Sequence, residues 1–558
     1  MAILRKLLTS FLLVGIVQAA TVKIPGATLN GAEEDDVESF SAIPFAQPPV
    51  GSLRLRPPQR LNESLGDFDA TQSADACPQV IVSTESENFL FRLLAKAANL
   101  PFIQKASGQS EDCLTITVQR PKDTSSDAKL PVMFYIYGGG YQLGWSSMYD
   151  GTSLVQHGID TGKPFIYVTA NYRVNGFGFL PGKEVKENGA GNLGLLDQRL
   201  ALEWVADHIA SFGGDSSKVT IWGESAGAWS IFNQMSLYGG KLKYKGQNLF
   251  RGAIMASGGV LPSQPIDSPK AQEVYDRVVH HAGCDDADDT LECLRQVDYT
   301  TFLNAVSTAP SMLSYTALGL AYIPRPDGDS LPDSGEVLAK QGKYAQVPFI
   351  TGNQEDEGTI FALFQSNLTT TEGLVDYFKQ YYYAGASESE LTELIETYGT
   401  GQAAITENSP YGTGTKNEIF PGYKRRAAII GDLFFTLTRR FFLTTAHASG
   451  NTSSSWAYMS SYKSGTPILG TFHGADILQV TNGDDDSYAT RCIRTHFVNF
   501  LYYLDPNGKG TAHYPFWPKW EDGKKLMQFF ADRSETTADD FREDSFEWYK
   551  KHLKALRL

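Results

Sequence analysis

The sequence has little that would anchor the protein in a membrane. Its one long charge-free apolar run, Leu7 to Val17, follows Arg5-Lys6 and ends at the small-residue site Val17-Gln18-Ala19. That run is shorter than the roughly 20 apolar residues a transmembrane helix needs, and the order basic, apolar, small is typical of a secretory signal peptide. We therefore predict a signal peptide over residues 1–19, a secreted, extracellular mature chain over residues 20–558, and no stable membrane anchor.

Metal-binding motifs and clusters of basic residues are also missing. Neither CxxC nor HExxH occurs, so neither a metal site nor another cofactor has support. The net charge is −15 and the basic residues are scattered, which argues against nucleic acid as a partner. One glycine pattern, residues 189–194, matches GxGxxG but follows the polar Lys186-Glu187-Asn188 rather than a strand, so we expect no dinucleotide site there.

Cysteine is scarce, with five residues in the chain. In a secreted protein the spacing favours two local disulfides and one buried free thiol. The predicted pairs are Cys77 with Cys113 and Cys284 with Cys293, which leaves Cys492 free. Three N-x-S/T sequons fit a secreted surface and are candidate glycosylation sites: they begin at Asn62, Asn367 and Asn451.

Segments that would separate domains are absent as well, because no Pro/Ser-rich linker or charge block divides the chain. We expect a single domain over residues 20–558. Short runs rich in Val, Ile, Tyr and Phe alternate with amphipathic helical patterns, which predicts an α/β fold with a large, mostly parallel central sheet and helices on both faces. The clearest predicted strands are Val132 to Tyr137, Phe165 to Ala170, Val219 to Trp222, Gly252 to Ala256, Pro348 to Thr351 and Trp456 to Met459.

One of these strands leads into a serine between two glycines. The pentapeptide Gly223-Glu224-Ser225-Ala226-Gly227 follows the strand that ends at Trp222, and an apolar helical pattern follows it. A strand, a sharp turn and a helix are the context in which GxSxG presents a nucleophilic serine, and the flanking glycines let strand and helix approach. Because a serine hydroxyl alone is a poor nucleophile, a base, an acid and an oxyanion site must be found elsewhere.

The oxyanion site needs backbone N–H groups from the residue after the serine and from a glycine-rich loop. Gly138-Gly139-Gly140 directly follows the predicted strand Val132 to Tyr137. We nominate the amides of Gly139, Gly140 and Ala226 as the donors.

The base and the acid should follow the serine in the order acid, then histidine. Of the nine histidines, His473 is favoured because it stands in a loop after a strand, whereas His280, His281 and His447 fit helical patterns. The acidic stretch Glu355-Asp356-Glu357 follows the strand Pro348 to Thr351. The residues alone do not distinguish Asp356 from Glu357 as the acid.

Several further motifs together resemble one family, the type-B carboxylesterase/lipase group of α/β-hydrolases, and within it the fungal lipases similar to those of Candida rugosa and Geotrichum. The likeness spans nearly the whole mature chain. It is carried by Phe45-Ala46-Gln47-Pro48-Pro49, Ser110-Glu111-Asp112-Cys113-Leu114, Gly138-Gly139-Gly140, Asn171-Tyr172-Arg173, Gly191-Asn192-Leu193-Gly194-Leu195-Leu196-Asp197-Gln198 and the GxSxG pentapeptide.

The resemblance implies an α/β-hydrolase fold and a carboxylic ester hydrolase that works through an acyl-enzyme. It implies that Ser225 is the nucleophile, Glu357 the acid and His473 the base. It also supports the nominated oxyanion donors and both disulfides.

The resemblance further implies a lid in the disulfide-tethered loop, residues 77–113. From Glu85 to Asn99 the pattern is that of a helix with a polar stripe and a wide apolar surface, preceded by a possible capping box at Thr84 and Glu87. Without the family likeness, a helix packed permanently on the body would be the better interpretation. The loop contains no Trp, which argues against cation–π binding of a choline ester.

These observations lead to three functional hypotheses. The first is a secreted lipase that cleaves long-chain acylglycerols, with sterol esters as a further substrate class, at a lipid–water interface. The second is a general carboxylesterase that prefers short-chain or aromatic esters. The third, from another class, is a non-catalytic adhesion module of the same fold, which the presence of Ser225, Glu357 and His473 disfavours. We expect a monomer or a weak dimer.

Overall fold

The computed structural model describes most of the mature chain. The described residues are 20–81, 83, 108–400, 414–448, 450, 453–481, 487–508, 511 and 513–558. The predicted signal peptide over residues 1–19, the helix predicted within the lid loop and the sequon asparagine Asn451 lie outside these residues.

Fifteen strands are formed by the described residues. The residues of the central strands are apolar and almost completely buried, as in β6 and β7, which is typical of parallel strands covered on both faces. The strands are β1 (Ala20–Ile24), β2 (Ala27–Glu34), β3 (Val37–Pro44), β4 (Gly66–Asp69), β5 (Thr115–Pro121), β6 (Leu130–Ile136), β7 (Ile166–Ala170), β8 (Gly214–Glu224), β9 (Lys243–Tyr244), β10 (Gln247–Asn248), β11 (Gly252–Ala256), β12 (Phe349–Gln354), β13 (Ser455–Ser460), β14 (Lys525–Phe529) and β15 (Ser534–Ala538).

All but two of these strands form one 13-stranded sheet in the order β1-β2-β3-β5-β7-β6-β8-β11-β12-β13-β14-β15, with β4 beside β2. The run from β7 to β14 is parallel. Antiparallel pairings add β5, β3, β2 and β1 at one edge and β15 at the other. The predicted mostly parallel sheet is confirmed, and each of the six predicted strands lies within or overlaps a strand of its central part.

Helices connect the parallel strands. The predicted helix Leu195 to Ile209 is observed as α4, and the helix predicted to begin at the serine is α5. The helices are α1 (Thr152–Asp160), α2 (Asn175–Phe179), α3 (Lys183–Glu187), α4 (Leu193–His208), α5 (Ala226–Ser236), α6 (Pro269–His281), α7 (Thr290–Gln296), α8 (Tyr299–Val306), α9 (Gly335–Lys340), α10 (Thr371–Tyr381), α11 (Glu388–Glu396), α12 (Tyr423–Gly431), α13 (Leu437–Ala448), α14 (Ala475–Val480), α15 (Tyr488–Tyr503) and α16 (Glu543–His552); a π-helical turn, Asp432–Thr436, joins α12 to α13.

The sheet order brings distant parts of the chain to one edge. Strands β6, β8 and β12 are parallel and close in the sheet, so the segments after them emerge on the same side. The glycine triplet follows β6, Ser225 follows β8, and the acidic stretch begins at the end of β12. The carboxyl ends of parallel strands are where α/β folds bind ligands, so the fold gathers the predicted site residues there.

Two disulfides close local loops. Cys77 is bonded to Cys113 and Cys284 to Cys293, and Cys492 is a buried free thiol. These are the pairings expected from the spacing. Among the helices that the structure describes, none is both long enough and apolar enough to cross a membrane.

Candidate active site

The backbone is strained at Ser225. Its φ is 57° and its ψ is −124°, a combination of backbone angles that residues other than glycine rarely adopt. The serine stands between the last residue of β8 and the first of α5, and its N–H donates to the carbonyl oxygen of Ala256 at 2.9 Å. The turn is therefore sharp and supported from the neighbouring strand, as a nucleophile elbow requires.

The two glycines of the pentapeptide are needed for close approach. A Cβ added to Gly227 would lie 2.0 Å from the carbonyl oxygen of Ile136, and one added to Gly223 would lie 2.5 Å from the carbonyl carbon of Gly227. Real side chains do not fit at such distances. The strand and the helix can therefore pack this tightly only with glycine at both positions, which confirms the spatial reason given for GxSxG.

Ser225, His473 and Glu357 form one hydrogen-bonded chain. His473 Nε2 lies 2.7 Å from Ser225 Oγ, and His473 Nδ1 lies 2.6 Å from Glu357 Oε2. All three side chains are largely shielded from solvent. With Nδ1 protonated towards the carboxylate, Nε2 is free to accept the serine proton, which is the arrangement of a Ser-His-acid triad.

The second carboxylate oxygen of Glu357 is also fixed. Its Oε1 accepts the backbone N–H of Gln354 at 2.7 Å. The carboxylate therefore presents one oxygen to the main chain and the other to the imidazole, which sets the orientation of the ring.

Two phenylalanine rings hold the imidazole from the side. The ring centroid of Phe435 lies 4.4 Å and that of Phe361 lies 5.2 Å from that of His473. Phe435 belongs to the π-helical turn Asp432–Thr436. Such turns insert one extra residue into a helix and often occur at functional sites, and here the turn carries a ring that packs on His473.

The glycine triplet lies directly against the serine. A Cβ on Gly138 would be 2.8 Å from Ser225 Cβ, and Gly139 and Gly140 have φ angles of 106° and 62°. These left-handed angles suit glycine and turn the peptide groups of the loop. Ala226 is the first residue of α5, so no preceding helical turn accepts its N–H. Gly138 and Ala226 thus adjoin the serine, and Gly139 and Gly140 follow Gly138 in the same loop.

Two further carboxylates lie at the site, and the sequence motifs do not reveal them. Glu224 Oε1 is 3.3 Å from His473 Nε2, and both Glu224 and Asp476 are buried. Both residues stand inside motifs already recognised, Glu224 beside Ser225 and Asp476 three residues after His473. Nothing in a single sequence signals that these positions face the imidazole.

These carboxylates change the acidity of the site. Burial, reinforced by Asp476 and Glu357, raises the pKa of Glu224, although the charge of His473 opposes the shift. Burial likewise raises the pKa of Asp476. For His473, burial disfavours the charged ring, but the carboxylates of Glu224 and Glu357 outweigh it and the pKa is raised. Glu224 therefore stabilises the imidazolium that forms when the ring takes a proton.

Substitution of Glu224 by Gln should shift the pH dependence of catalysis. Without the carboxylate the imidazolium is less stable, so the pKa of His473 falls and the acid limb of kcat/KM moves to lower pH. The measurement is a pH profile of kcat/KM on a soluble ester. E355Q is the control, because Glu355 is not among the groups that shift His473. An unmoved limb, or one displaced to higher pH, would contradict this electrostatic role.

The comparisons with known proteins agree with this geometry. The model of the carboxylesterase family matches residues 14–547. The chain belongs to the carboxylesterase family. The resemblance seen in the motifs is thereby confirmed, and the chain is a carboxylic ester hydrolase.

Individual relatives cover nearly the whole chain. It is 55% identical to the secreted triacylglycerol lipase LIP1 of Gibberella zeae over 538 residues, 96% of this chain and 91% of that protein. It is 50% identical to secreted lipase 1 of Botryotinia fuckeliana, over 96% of this chain and 93% of the relative. Among solved structures, Aspergillus niger EstA superposes with a TM-score of 0.80 at 28% identity, covering 97% of this carboxylesterase and 99% of EstA.

The remaining motif candidates lie away from the site. His280 and His281 are exposed on α6, and His447 lies on α13. The GxGxxG match, residues 189–194, follows helix α3 rather than a strand, so the dinucleotide interpretation is excluded on its structural context. Within the described ranges, no cluster of three or more His, Cys, Asp or Glu side chains is arranged to hold a metal ion.

Proposed function

We propose that this carboxylesterase is a secreted lipase that hydrolyses long-chain acylglycerols with Ser225 as nucleophile, His473 as base and Glu357 as acid. The hydrogen-bonded chain from Ser225 Oγ through the imidazole to Glu357 is the observation that carries the proposal. Sterol esters are a second substrate class in this proposal.

The proposed reaction is a double displacement. His473 takes the Ser225 proton as the oxygen attacks the ester carbonyl, and the amides of Gly139, Gly140 and Ala226 stabilise the oxyanion. The imidazolium then protonates the leaving alcohol, and an acyl-enzyme remains on Ser225. Water, deprotonated by the same imidazole, attacks the acyl group and releases the fatty acid. Glu357 holds the ring and stabilises its charged form throughout.

The surroundings of the serine support an apolar acyl group. Met312 and Leu320 pack against Gly140, where an added Cβ would lie 2.7 Å from Met312 Sδ and 3.7 Å from Leu320 Cδ2. Phe361 and Phe435 flank His473. Two large apolar side chains are exposed in the same chain segments, Leu313 directly after Met312 and Phe364 three residues after Phe361, each at 41%. Exposed apolar side chains on the segments that reach the site suit contact with lipid. The relatives from Gibberella zeae and Botryotinia fuckeliana are themselves named as lipases.

The stem of the loop closed by Cys77 and Cys113 supports its assignment as a lid. The N–H of Val80 donates to the carbonyl oxygen of Gln142 at 3.0 Å, and Gln79 Oε1 accepts the N–H of Gly144 at 2.6 Å. Gln142 and Gly144 stand two and four residues after the last glycine of the triplet. The loop therefore leaves the body beside the oxyanion site, where a lid would control access.

The remaining features belong to the same proposal. We take residues 1–19 as a signal peptide and residues 20–558 as a single domain, and the relatives named as secreted agree with export. Asn62 and Asn367 are exposed in the structure and, with Asn451, are the proposed glycosylation sites. We propose that the protein acts as a monomer or a weak dimer.

Activity on an emulsion distinguishes a lipase from a general esterase. We expect hydrolysis of emulsified triolein, and a rate on a soluble butyrate ester that rises steeply once the ester exceeds its solubility and forms an interface. A parallel assay with cholesteryl oleate tests the sterol esters. Activity confined to dissolved short-chain or aromatic esters would instead favour the general carboxylesterase.

A further inference from the structure

Three consecutive carboxylates, Glu355, Asp356 and Glu357, begin directly after β12. Glu357 contacts His473, but the middle residue, Asp356, is also buried, with 5% of its surface exposed. A buried carboxylate that does not pair with the imidazole requires another explanation. Its contacts lie on the loop that carries His473.

Asp356 holds Thr471 through both its main chain and its side chain. Its N–H donates to the carbonyl oxygen of Thr471 at 3.0 Å, and its Oδ2 accepts the N–H of Thr471 at 2.8 Å. The two segments also form an isolated parallel bridge between Asp356 and Phe472. Thr471 is two residues before His473, so these bonds fix the main chain close to the imidazole.

The residue before Thr471 is Gly470, and its lack of a side chain leaves room for the carboxylate of Asp356. Gly470 has a φ of +60°, and a Cβ added to it would lie 2.0 Å from Asp356 Oδ2 and 2.6 Å from Asp356 Cγ. The loop that carries His473, residues 469–473, is called the histidine loop below. At position 470 it passes so close to Asp356 that only glycine fits. A third hydrogen bond, from Thr359 Oγ1 to the carbonyl oxygen of Leu469 at 2.7 Å, joins the same two loops.

The segment that carries Asp356 is itself held against the body. A Cβ on Gly358 would lie 1.8 Å from the carbonyl oxygen of Ala427 in α12. The segment of residues 355–358 thus packs against α12 on one side and is hydrogen-bonded to the histidine loop on the other. This makes it a rigid support for the position of His473.

We propose that Asp356 is a positioning residue whose carboxylate holds the amide of Thr471 and thereby sets the distances from His473 to Glu357 and Ser225. The inference rests on the proposed triad. The two adjacent carboxylates then have different roles. Glu357 orients the imidazole ring of His473, and Asp356 holds the main chain of the loop that carries His473. Burial, reinforced by Glu355, raises the pKa of Asp356 to about 7, so the surroundings disfavour the charged form of this carboxyl group.

Two substitutions at Asp356 separate positioning from mere packing. D356A removes the acceptor, whereas D356N keeps a carbonyl oxygen that can accept the Thr471 N–H. Because a misplacement of about 1 Å can cost about 100-fold in rate, we expect D356A to lower kcat on a soluble butyrate ester about 10- to 100-fold with KM nearly unchanged. D356N should recover most of the wild-type kcat, and hydrogen exchange at the Thr471 amide should be faster in D356A alone.

Gly470 offers an independent test that leaves the carboxylate in place. G470A inserts a methyl group where Oδ2 lies, so it should lower kcat as D356A does, and the double variant D356A/G470A should be no worse than the poorer single variant. E355Q, the matched control in the same acidic stretch, should retain wild-type kcat.

The outcomes separate this inference from the proposed function. A wild-type protein without esterase activity, or an active S225A variant, would refute the triad itself. An active wild type with D356A at full kcat, or with D356N as impaired as D356A, would refute the positioning role alone. If D356A fails to fold, D356N and G470A decide the matter, since full activity of G470A would also contradict the role.

Discussion

Substitution of Ser225 by Ala should abolish ester hydrolysis, with kcat/KM lower by about 10⁴- to 10⁶-fold. The variant loses the hydroxyl oxygen that lies 2.7 Å from His473 Nε2 and that is the proposed nucleophile. The residual rate would come from binding and the oxyanion donors acting on water. The measurement is kcat/KM on a soluble butyrate ester under identical conditions for both proteins.

The fold should survive this substitution, because alanine removes one atom and introduces no clash at the turn. The control is therefore the melting temperature of S225A, which should stay close to that of the wild type. A matched substitution at a second buried serine, S257A, should leave a far larger share of the activity. If S225A hydrolysed the ester at a rate comparable to that of the wild type, the assignment of the nucleophile would be wrong.

Substitution of Glu357 by Gln should lower kcat by about 10⁴-fold with little change in structure. The backbone N–H of Gln354 donates to Oε1, so the amide oxygen of the new side chain is expected to take that position. Its NH2 group would then face His473 Nδ1, which must become the acceptor. The proton of the neutral ring moves to Nε2, and the ring can no longer accept the serine proton.

Conservative variants test this tautomer argument. E357D keeps a carboxylate and should lose less activity than E357Q, although the shorter side chain lengthens the contact with the ring. The kinetic comparison of the three proteins on one soluble ester is the measurement. An E357Q enzyme as active as E357D would show that the charge and orientation of this group do not matter.

The central part of the fold follows from local patterns. Strands such as β7 and β11 are short apolar runs buried on both faces, so their composition identifies them directly. The edge strands are harder to predict because polar residues alternate with apolar ones: β1 to β4 include Thr, Asn, Glu, Asp and Ser at exposed or half-buried positions. Strand β8 is longer than predicted because its first part, Ser216 to Lys218, is polar.

In the candidate site, too, some residues can be recognised from the sequence and others cannot. Ser225 and the glycines are recognisable because GxSxG and the triplet impose backbone requirements that few other residues meet. The partners Glu224 and Asp476 are not recognisable, since their contacts depend on how β8 and the histidine loop meet in space. The choice between Asp356 and Glu357 has the same origin: adjacent carboxylates point in different directions after β12, one to Thr471 and one to the imidazole.

The buried carboxylates also predict how stability depends on pH. The folded protein keeps a proton on Asp356 up to about pH 7, whereas the unfolded chain loses it near the ordinary value of 3.8. Folded Asp356 thus binds more protons than unfolded Asp356 in this window, and its contribution to stability falls as pH rises through it. The D356N variant should lose this part of the decline.

Covalent labelling of the wild-type protein is the most direct test of whether Ser225 is a nucleophile activated by His473. An alkyl p-nitrophenyl phosphonate reacts rapidly with a serine that is activated by a base and flanked by oxyanion donors, because the serine oxygen attacks phosphorus and p-nitrophenolate leaves. Mass spectrometry of the digested, inactivated protein should find one phosphonyl group per chain, on the peptide that contains Ser225, and the H473A variant should label far more slowly. An unlabelled protein, or a label on any other residue, would contradict the proposal that Ser225, His473 and Glu357 act together as the catalytic triad.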